Sequence, residues 1–155
     1  MIFSSGTEYA MRGLAELALR GGGKSMLLEQ LIAGTDLPRD FLAKIFQKLV
    51  RASILTSAKG RGGGFALARP DHQITLMEIV EAVEGPSTFD RCVVGLAACN
   101  DLMPCPQHDL YKPIRQRLKA YLETTTVADL AVSLQVKQGD LRSLKSAAAA
   151  ASESA

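Results

Sequence analysis

Apolar residues recur at helical spacing in several separate stretches of this chain, divided by glycine- and proline-bearing breaks. In "GTEYAMRGLAELALR" the residues Tyr9, Gly13, Leu14 and Leu17 share one face, and Arg12, Glu16 and Arg20 the other. That pattern predicts an amphipathic helix, stopped by the run Gly21 to Lys24. "SMLLEQLIAG" predicts a short second helix closed by Gly34, a residue favoured just past a helix end. In "TDLPRDFLAKIFQKLVRAS", Pro38 suits the first position of a third helix, where its missing N–H has no partner to lose. Leu42, Ile45, Phe46 and Leu49 fall at i, i+3, i+4 and i+7, one stripe for burial. The opposite face carries Arg39, Ala43, Lys44, Gln47, Lys48 and Arg51.

The period then changes from helix to strand. "ILTSAKGRGGGFALARP" alternates Leu55 and Ser57, then Phe65 and Leu67, around the cationic glycine-rich tip Lys59 to Gly64, which predicts a β-hairpin. Glycines there supply positive φ and leave no side-chain bulk between Lys59, Arg61 and a phosphate backbone. No G-K-[ST] and no G-x-G-x-x-G opening a helix is present, so the loop lacks the mechanics of a nucleotide site. A further helix is specified over "ITLMEIVEAVEGP". Thr75 and Glu78 form a capping box, Ile74 and Ile79 stand at the staple positions, and Gly85-Pro86 ends it. Its glutamates, Glu78, Glu81 and Glu84, would repel DNA, which places this helix behind the hairpin.

Residues 86–108 show no sustained period, and a loop of that length inside a compact domain is usually functional or disordered. In "HDLYKPIRQRLKAYLETTT" the residues Leu110, Ile114, Leu118, Tyr121 and Leu122 make a narrow apolar seam of the kind that seeks another helix, with a second copy of the chain as the obvious partner. Pro113 restricts that helix to starting close to Asp109 or Leu110. "TVADLAVSL" predicts a last short helix capped by Thr126, and the alanine-rich end reads as a frayed or disordered tail.

Helix, helix, basic helix, basic hairpin is the order of a winged helix-turn-helix. The fold class is therefore mainly α. The predicted organisation is a winged helix-turn-helix DNA-binding domain over 1–84, a loop over 85–108, dimerisation helices over 109–135 and a low-complexity tail over 136–155. Charge supports the assignment. The chain carries a net +2, but residues 1–70 hold ten Lys/Arg against five Asp/Glu, residues 71–110 one against seven, and residues 111–155 seven against four. The basic first part is the part that meets an anion. Arg39, Lys44, Gln47, Lys48 and Arg51 are the candidates for the major groove and its phosphates, with Lys59 and Arg61 for the adjoining backbone or minor groove.

All three cysteines fall in the aperiodic segment, as Cys92, Cys99 and Cys105 in the spacing C-x6-C-x5-C, with His108 two residues beyond. An odd count fits a disulfide framework poorly. No apolar run approaches the roughly 18 residues of a membrane span, and the first residues lack the features of a secretory signal. The expectation is a cytoplasmic protein with reduced thiols. Core cysteines belong on helices, so three in one irregular loop point to metal ligation. Gaps of six and five residues are wide for zinc knuckles and suit a larger object, an iron–sulfur cluster. A 2Fe–2S cluster could use the three cysteines and His108. A 4Fe–4S cluster could use the cysteines and one other ligand, such as Glu8 from a partner subunit. A zinc-stabilised or metal-free thiol-redox DNA-binding regulator is the alternative. No Ser/His/Asp set is visible, and two histidines offer little general-base chemistry, so an enzyme is not expected.

The segments "TEYAMRGL", "LPRDFLAKIFQKLVRASILTSAKGRGGGFALARP", "ITLMEIVEAVEG" and C-x6-C-x5-C-x2-H resemble the iron–sulfur winged-helix transcription regulators, the family that includes IscR, NsrR and RirA. The resemblance covers roughly residues 1–132. It implies a homodimer on a palindromic operator in double-stranded DNA, with a long helix crossing the partner. It also implies that Cys92, Cys99 and Cys105 hold the cluster, with His108 or Glu8 as the fourth ligand. The first cysteine gap is one residue longer than in IscR, and Ala43 stands where IscR has a glutamate, so the resemblance is to the family and not to one branch.

Overall fold

The computed structural model describes residues 3–60, 63–96 and 101–139. Its elements are α1 (Ser5–Gly21), α2 (Leu28–Ile32), α3 (Arg39–Arg51), β1 (Leu55–Ala58), β2 (Gly64–Leu67), a 3-10 turn (Asp71–Gln73), α4 (Leu76–Glu84), α5 (His108–Thr124) and α6, helical over residues 127–139. The predominantly helical architecture with one antiparallel hairpin is the one the periodicity predicts.

The core forms where the apolar stripes of α1, α3 and α4 meet. Leu14, Leu42, Phe46, Leu49, Ile74, Ile79 and Val80 are fully buried, with Leu122 of α5 and Val127 of α6 joining from the C-terminal side. Gly13 lets α1 and α3 approach closely. A β-carbon there would lie 2.9 Å from Phe46 Cε1 and 3.1 Å from Leu42 Cδ1. The capping box of α4 forms as its sequence predicts: Thr75 Oγ1 accepts from Glu78 N, and Thr75 N donates to Glu78 Oε2 at 2.9 Å. At the other end of α4, Glu84 Oε1 accepts from Ser4 N at 2.9 Å and Thr7 Oγ1 at 2.6 Å, fastening the start of α1. Burial works to raise the Glu84 pKa, but these two donors outweigh it and hold the carboxyl below its ordinary value.

Four boundaries differ from the sequence reading. α2 begins at Leu28 and not at Ser25, because Met26 is drawn into an isolated β-bridge with Phe65, with both N–H···O bonds at 2.9 Å. Pro38 is the N-cap residue of α3, with extended backbone, one position before the first helical residue. α5 starts at His108, which leaves Pro113 inside its second turn. α6 is longer than the short helix expected and runs through residue 139, past the tail boundary drawn from composition at 136.

The hairpin pairs Leu55 with Leu67 and Ala58 with Gly64. Only Leu55 of β1 is buried, so the strand's alternation shows at one position. The Met26–Phe65 bridge lays a third stretch of backbone along β2. This close approach explains Gly64, and the hairpin's own backbone explains Gly63. A β-carbon on Gly64, whose φ is +120°, would lie 2.2 Å from the Met26 carbonyl oxygen, and one on Gly63 would lie 2.5 Å from the Ala58 carbonyl oxygen. The two glycines are therefore demanded by backbone packing at the base of the wing. A second clasp joins the two parts of the chain. Leu76 N donates to Thr125 O and Val127 N to Ile74 O, each at 2.9 Å, around a Thr75–Thr126 bridge.

Candidate DNA-binding surface and cysteine loop

α3 is a helix with one apolar stripe, so burying that stripe turns the rest of its surface outward. Arg39, Lys44, Gln47, Lys48 and Arg51 are all exposed. Three of these side chains have intramolecular partners. Arg39 Nη2 lies 2.6 Å from Glu29 Oε1 of α2, and its Nη1 lies 3.0 Å from Asp40 Oδ1. The hydrogen bond to Glu29, then that to Asp40, raises the arginine pKa, and the same contact with Arg39 lowers that of Glu29. Lys48 Nζ donates to the Val83 carbonyl at 3.2 Å, turning toward the end of α4. Arg51 Nε donates to Gln47 O at 3.3 Å.

The turn that aims α3 is built by short polar contacts. Thr35 N donates to Ile32 O at 2.9 Å, and Leu37 N donates to Thr35 Oγ1 at 3.2 Å. Arg12 of α1 pairs with Asp36 in the same turn and lowers its pKa. Phe41, which the hydrophobic pattern did not single out, is an exposed aromatic on the outward side of α3, edge-on to Tyr9 with ring centroids 5.8 Å apart. Lys59 stands exposed at the hairpin tip, and Arg61 lies outside the described residues. The tip is closed by the Gly63 N to Gly60 O bond at 2.9 Å.

The cysteine loop runs from the end of α4 to the start of α5 without regular secondary structure in its described residues. Cys92 is buried and Cys105 half-buried, and both thiols are free. Cys99 lies outside the described residues. His108 is buried at the first position of α5, and its backbone N–H donates to Cys105 O at 2.9 Å. That bond keeps the last cysteine and the histidine together. Its Nε2 lies 2.7 Å from Asp101 Oδ1, which also accepts from Lys112 Nζ at 2.6 Å. The Lys112 hydrogen bond, followed by that of His108, holds the Asp101 carboxyl below its ordinary value. Sequence reasoning missed Asp101 and Lys112. Lys112 at i+4 from His108 on one helix was the available signal. Glu8 sits in the first turn of α1. Among the described residues no three His, Cys, Asp or Glu side chains converge as a metal site. Around the loop Leu102 and Met103 are almost fully exposed, as are, to a lesser degree, Leu110 and Ile114 of the α5 seam.

No helix among the described residues is long and apolar enough to cross a membrane. A model of the Rrf2 family, described as an iron-dependent transcriptional regulator, matches residues 3–133. An HTH-type transcriptional regulator of Aquifex aeolicus is 30% identical over 132 residues, 84% of this chain and 91% of that protein. The HTH-type transcriptional regulator IscR of Sodalis glossinidius is 26% identical over 130 residues, 84% of this chain and 78% of that one. Among solved structures, CymR, the global cysteine regulator of B. subtilis, superposes with a TM-score of 0.71 at 26% identity, over 84% of this chain and 96% of its own. T. potens IscR shares the fold at a TM-score of 0.67 and 18% identity, over 87% and 89% of the two chains. These relatives carry the names of transcriptional regulators, the class expected from the sequence. Winged-helix fold, the exposed basic face of α3 and the sequence match agree: the chain belongs to the Rrf2 family of transcriptional regulators.

Proposed function

We propose that this regulator is a homodimer whose grip on a palindromic DNA operator is set by an iron–sulfur cluster held on the cysteine loop. The observation that carries the reading is the loop itself. Two free thiols, one buried and one half-buried, sit along an irregular segment that leads directly into α5, and a buried imidazole opens that helix. Thiolate and imidazole are the donor types that hold iron sulfides, so the donor chemistry of Cys92, Cys105 and His108 fits the group, with Cys99 the third thiol. The fourth ligand is His108, once Asp101 releases its Nε2, or Glu8 of the partner subunit. A bound cluster would supply reversible redox and iron-loss chemistry, held by residues of the segment that feeds α5.

The exposed apolar residues of α5, Leu110, Ile114 and Tyr121, support a helix-to-helix dimer. A two-fold dimer presents its α3 helices about one helical turn apart, roughly 34 Å. In each half, Lys44, Gln47 and Arg51 face the major groove, flanked by Arg39 and Lys48, with Lys59 and Arg61 on the neighbouring backbone. The free thiols of Cys92 and Cys105 also suit a second reading, in which the cysteines themselves respond to oxidation with no metal.

Native mass spectrometry of the dimer purified without oxygen separates these. Two irons and two sulfides per chain support His108 as the ligand, and four of each support the partner's Glu8. Bare chains that form disulfides on oxidation support the thiol reading, and one zinc per chain removes the cluster from the account.

A further inference from the structure

Glu16 is a buried carboxylate in the middle of α1 that neither DNA nor a cluster uses, with only 5% of its surface exposed. A charge so placed is costly unless partners replace the lost water. Its partners come from two directions. Oε1 accepts from Gln138 Nε2 at 2.8 Å, a residue 122 positions away on α6. On the other side, Arg20 Nη1 lies 3.8 Å from Oε2, one turn further along α1.

Arg20 carries the connection onward. It donates to the carbonyls of Gln30 at 2.6 Å, Leu31 at 2.8 Å and Ala33 at 3.4 Å, all at the end of α2. The last carbonyls of a helix have no intrahelical donor, and in a helix of five residues they are most of what it has. A cation there satisfies them and suits the helix dipole. α2 is the first helix of the helix-turn-helix, and the Thr35 turn passes its position rigidly to α3. The chain of contacts thus runs from α6 through Gln138, Glu16 and Arg20 to the frame of the reading helix. Beside it, a cleft of about 470 Å³ separates the turn at Thr35 and Asp36 from Leu134 and Lys137 of α6.

We propose that Glu16 is a positioning residue for DNA binding, through which the docking of α6 on α1 sets the placement of α2 and α3. The inference rests on the reading of this fold as a DNA-binding one. It makes the reading head responsive to whatever moves the α5–α6 unit.

Two full-length variants test it. Glu16→Gln keeps an acceptor for Gln138 and removes the charge beside Arg20. Gln138→Ala removes the α6 end of the relay from a peripheral position, where the fold tolerates it. Hydrogen–deuterium exchange over residues 28–37 is expected to accelerate about fivefold in each, the equilibrium worth of one polar contact, the ion pair to Arg20 in the first variant and the hydrogen bond to Glu16 in the second. Affinity for a mixed-sequence duplex of about forty base pairs, read by fluorescence anisotropy, should weaken by a similar factor at fixed salt. If Gln138→Ala speeds exchange only within α6 and leaves residues 28–37 at the wild-type rate, the relay is overturned. If wild-type protein binds no duplex, the DNA reading falls, while the exchange comparison still decides whether Glu16 couples α6 to α2.

Discussion

Replacing Gly64 with alanine puts a methyl group where the structure holds backbone. The added carbon would lie 2.2 Å from Met26 O, 2.5 Å from its carbonyl carbon and 2.9 Å from Leu27 N. None of these atoms belongs to a side chain that can rotate away. The residue must also keep φ near +120°, a region L side chains rarely adopt. Relief requires the Met26–Phe65 bridge to open, which breaks two hydrogen bonds of 2.9 Å. At about 1 kcal/mol net for each bond and about 1–3 kcal/mol for residual backbone strain, the cost is about 3–5 kcal/mol. Against a stability of about 5–15 kcal/mol for an ordinary domain, that is a large fraction. It corresponds to a fall in Tm of roughly 6–20 °C for a chain of this size. Gly60→Ala is the matched control, since Gly60 also has positive φ, at +92°, but nothing within 4 Å of the added carbon. Its cost is backbone strain alone, about 1–2 kcal/mol. Urea melts of both variants give the comparison. Equal destabilisation of the two would refute the claim that packing against Met26 makes Gly64 necessary.

Other outcomes follow from the same geometry. Lys59→Ala and Arg61→Ala should each weaken duplex binding and lower the slope of log affinity against log salt by about one unit, if each neutralises one phosphate; an unchanged slope in salt titrations removes that residue from the footprint. Glu84→Gln should flatten the acid side of the stability profile. The native carboxyl sits below its ordinary value of 4.5, so its stabilisation is complete above that value and drains as pH falls through the folded-state pKa. Urea melts from pH 7 downward that run parallel for variant and wild type would contradict this. Ile114→Glu on the exposed seam of α5 should yield a monomer with unchanged helix content, and a dimer in analytical ultracentrifugation would place the subunit contact elsewhere. Asp101→Ala should remove the oxygen that His108 Nε2 and the Lys112 amine share, speeding cleavage of the cysteine loop by a protease in metal-free protein; an unaltered cleavage rate would mean that the contact does not hold the loop.

The parts of the fold written in local chemistry were legible beforehand. The stripe of α3, the T-x-x-E box of α4 and the glycine-rich hairpin each depend on residues a few positions apart, and each formed. What escaped were contacts between distant residues. The Met26–Phe65 bridge joins one residue outside any strand to one of β2, too few to leave a period. For the same reason the glycines of the wing suggested clearance for phosphate, while Gly63 and Gly64 turned out to be set by the neighbouring backbone. Glu29 reads as an ordinary polar residue of α2 until folding brings it against Arg39. Asp101 and His108 lie seven residues apart across an aperiodic loop, where no spacing rule applies. The outward face of α3 was readable, but the intramolecular engagement of Arg39 and Lys48 was not.

The clasp between residues 74–76 and 125–127 has a topological consequence. It ties off the intervening chain, α4, the cysteine loop and α5, into a closed loop whose two ends are hydrogen-bonded to each other. A rearrangement of the cysteine loop cannot slide α5 lengthwise while the clasp holds, so it swings α5 about its C-terminal end, where Leu122 is anchored in the core. Displacement is then largest at the His108 end and smallest at Thr125. Closing so long a loop also costs chain entropy that local helix contacts do not. On that ground the clasp is expected to form after the contacts of the α1–α3–hairpin unit in refolding, which pulse-labelling hydrogen exchange at the Leu76 and Val127 amides would check.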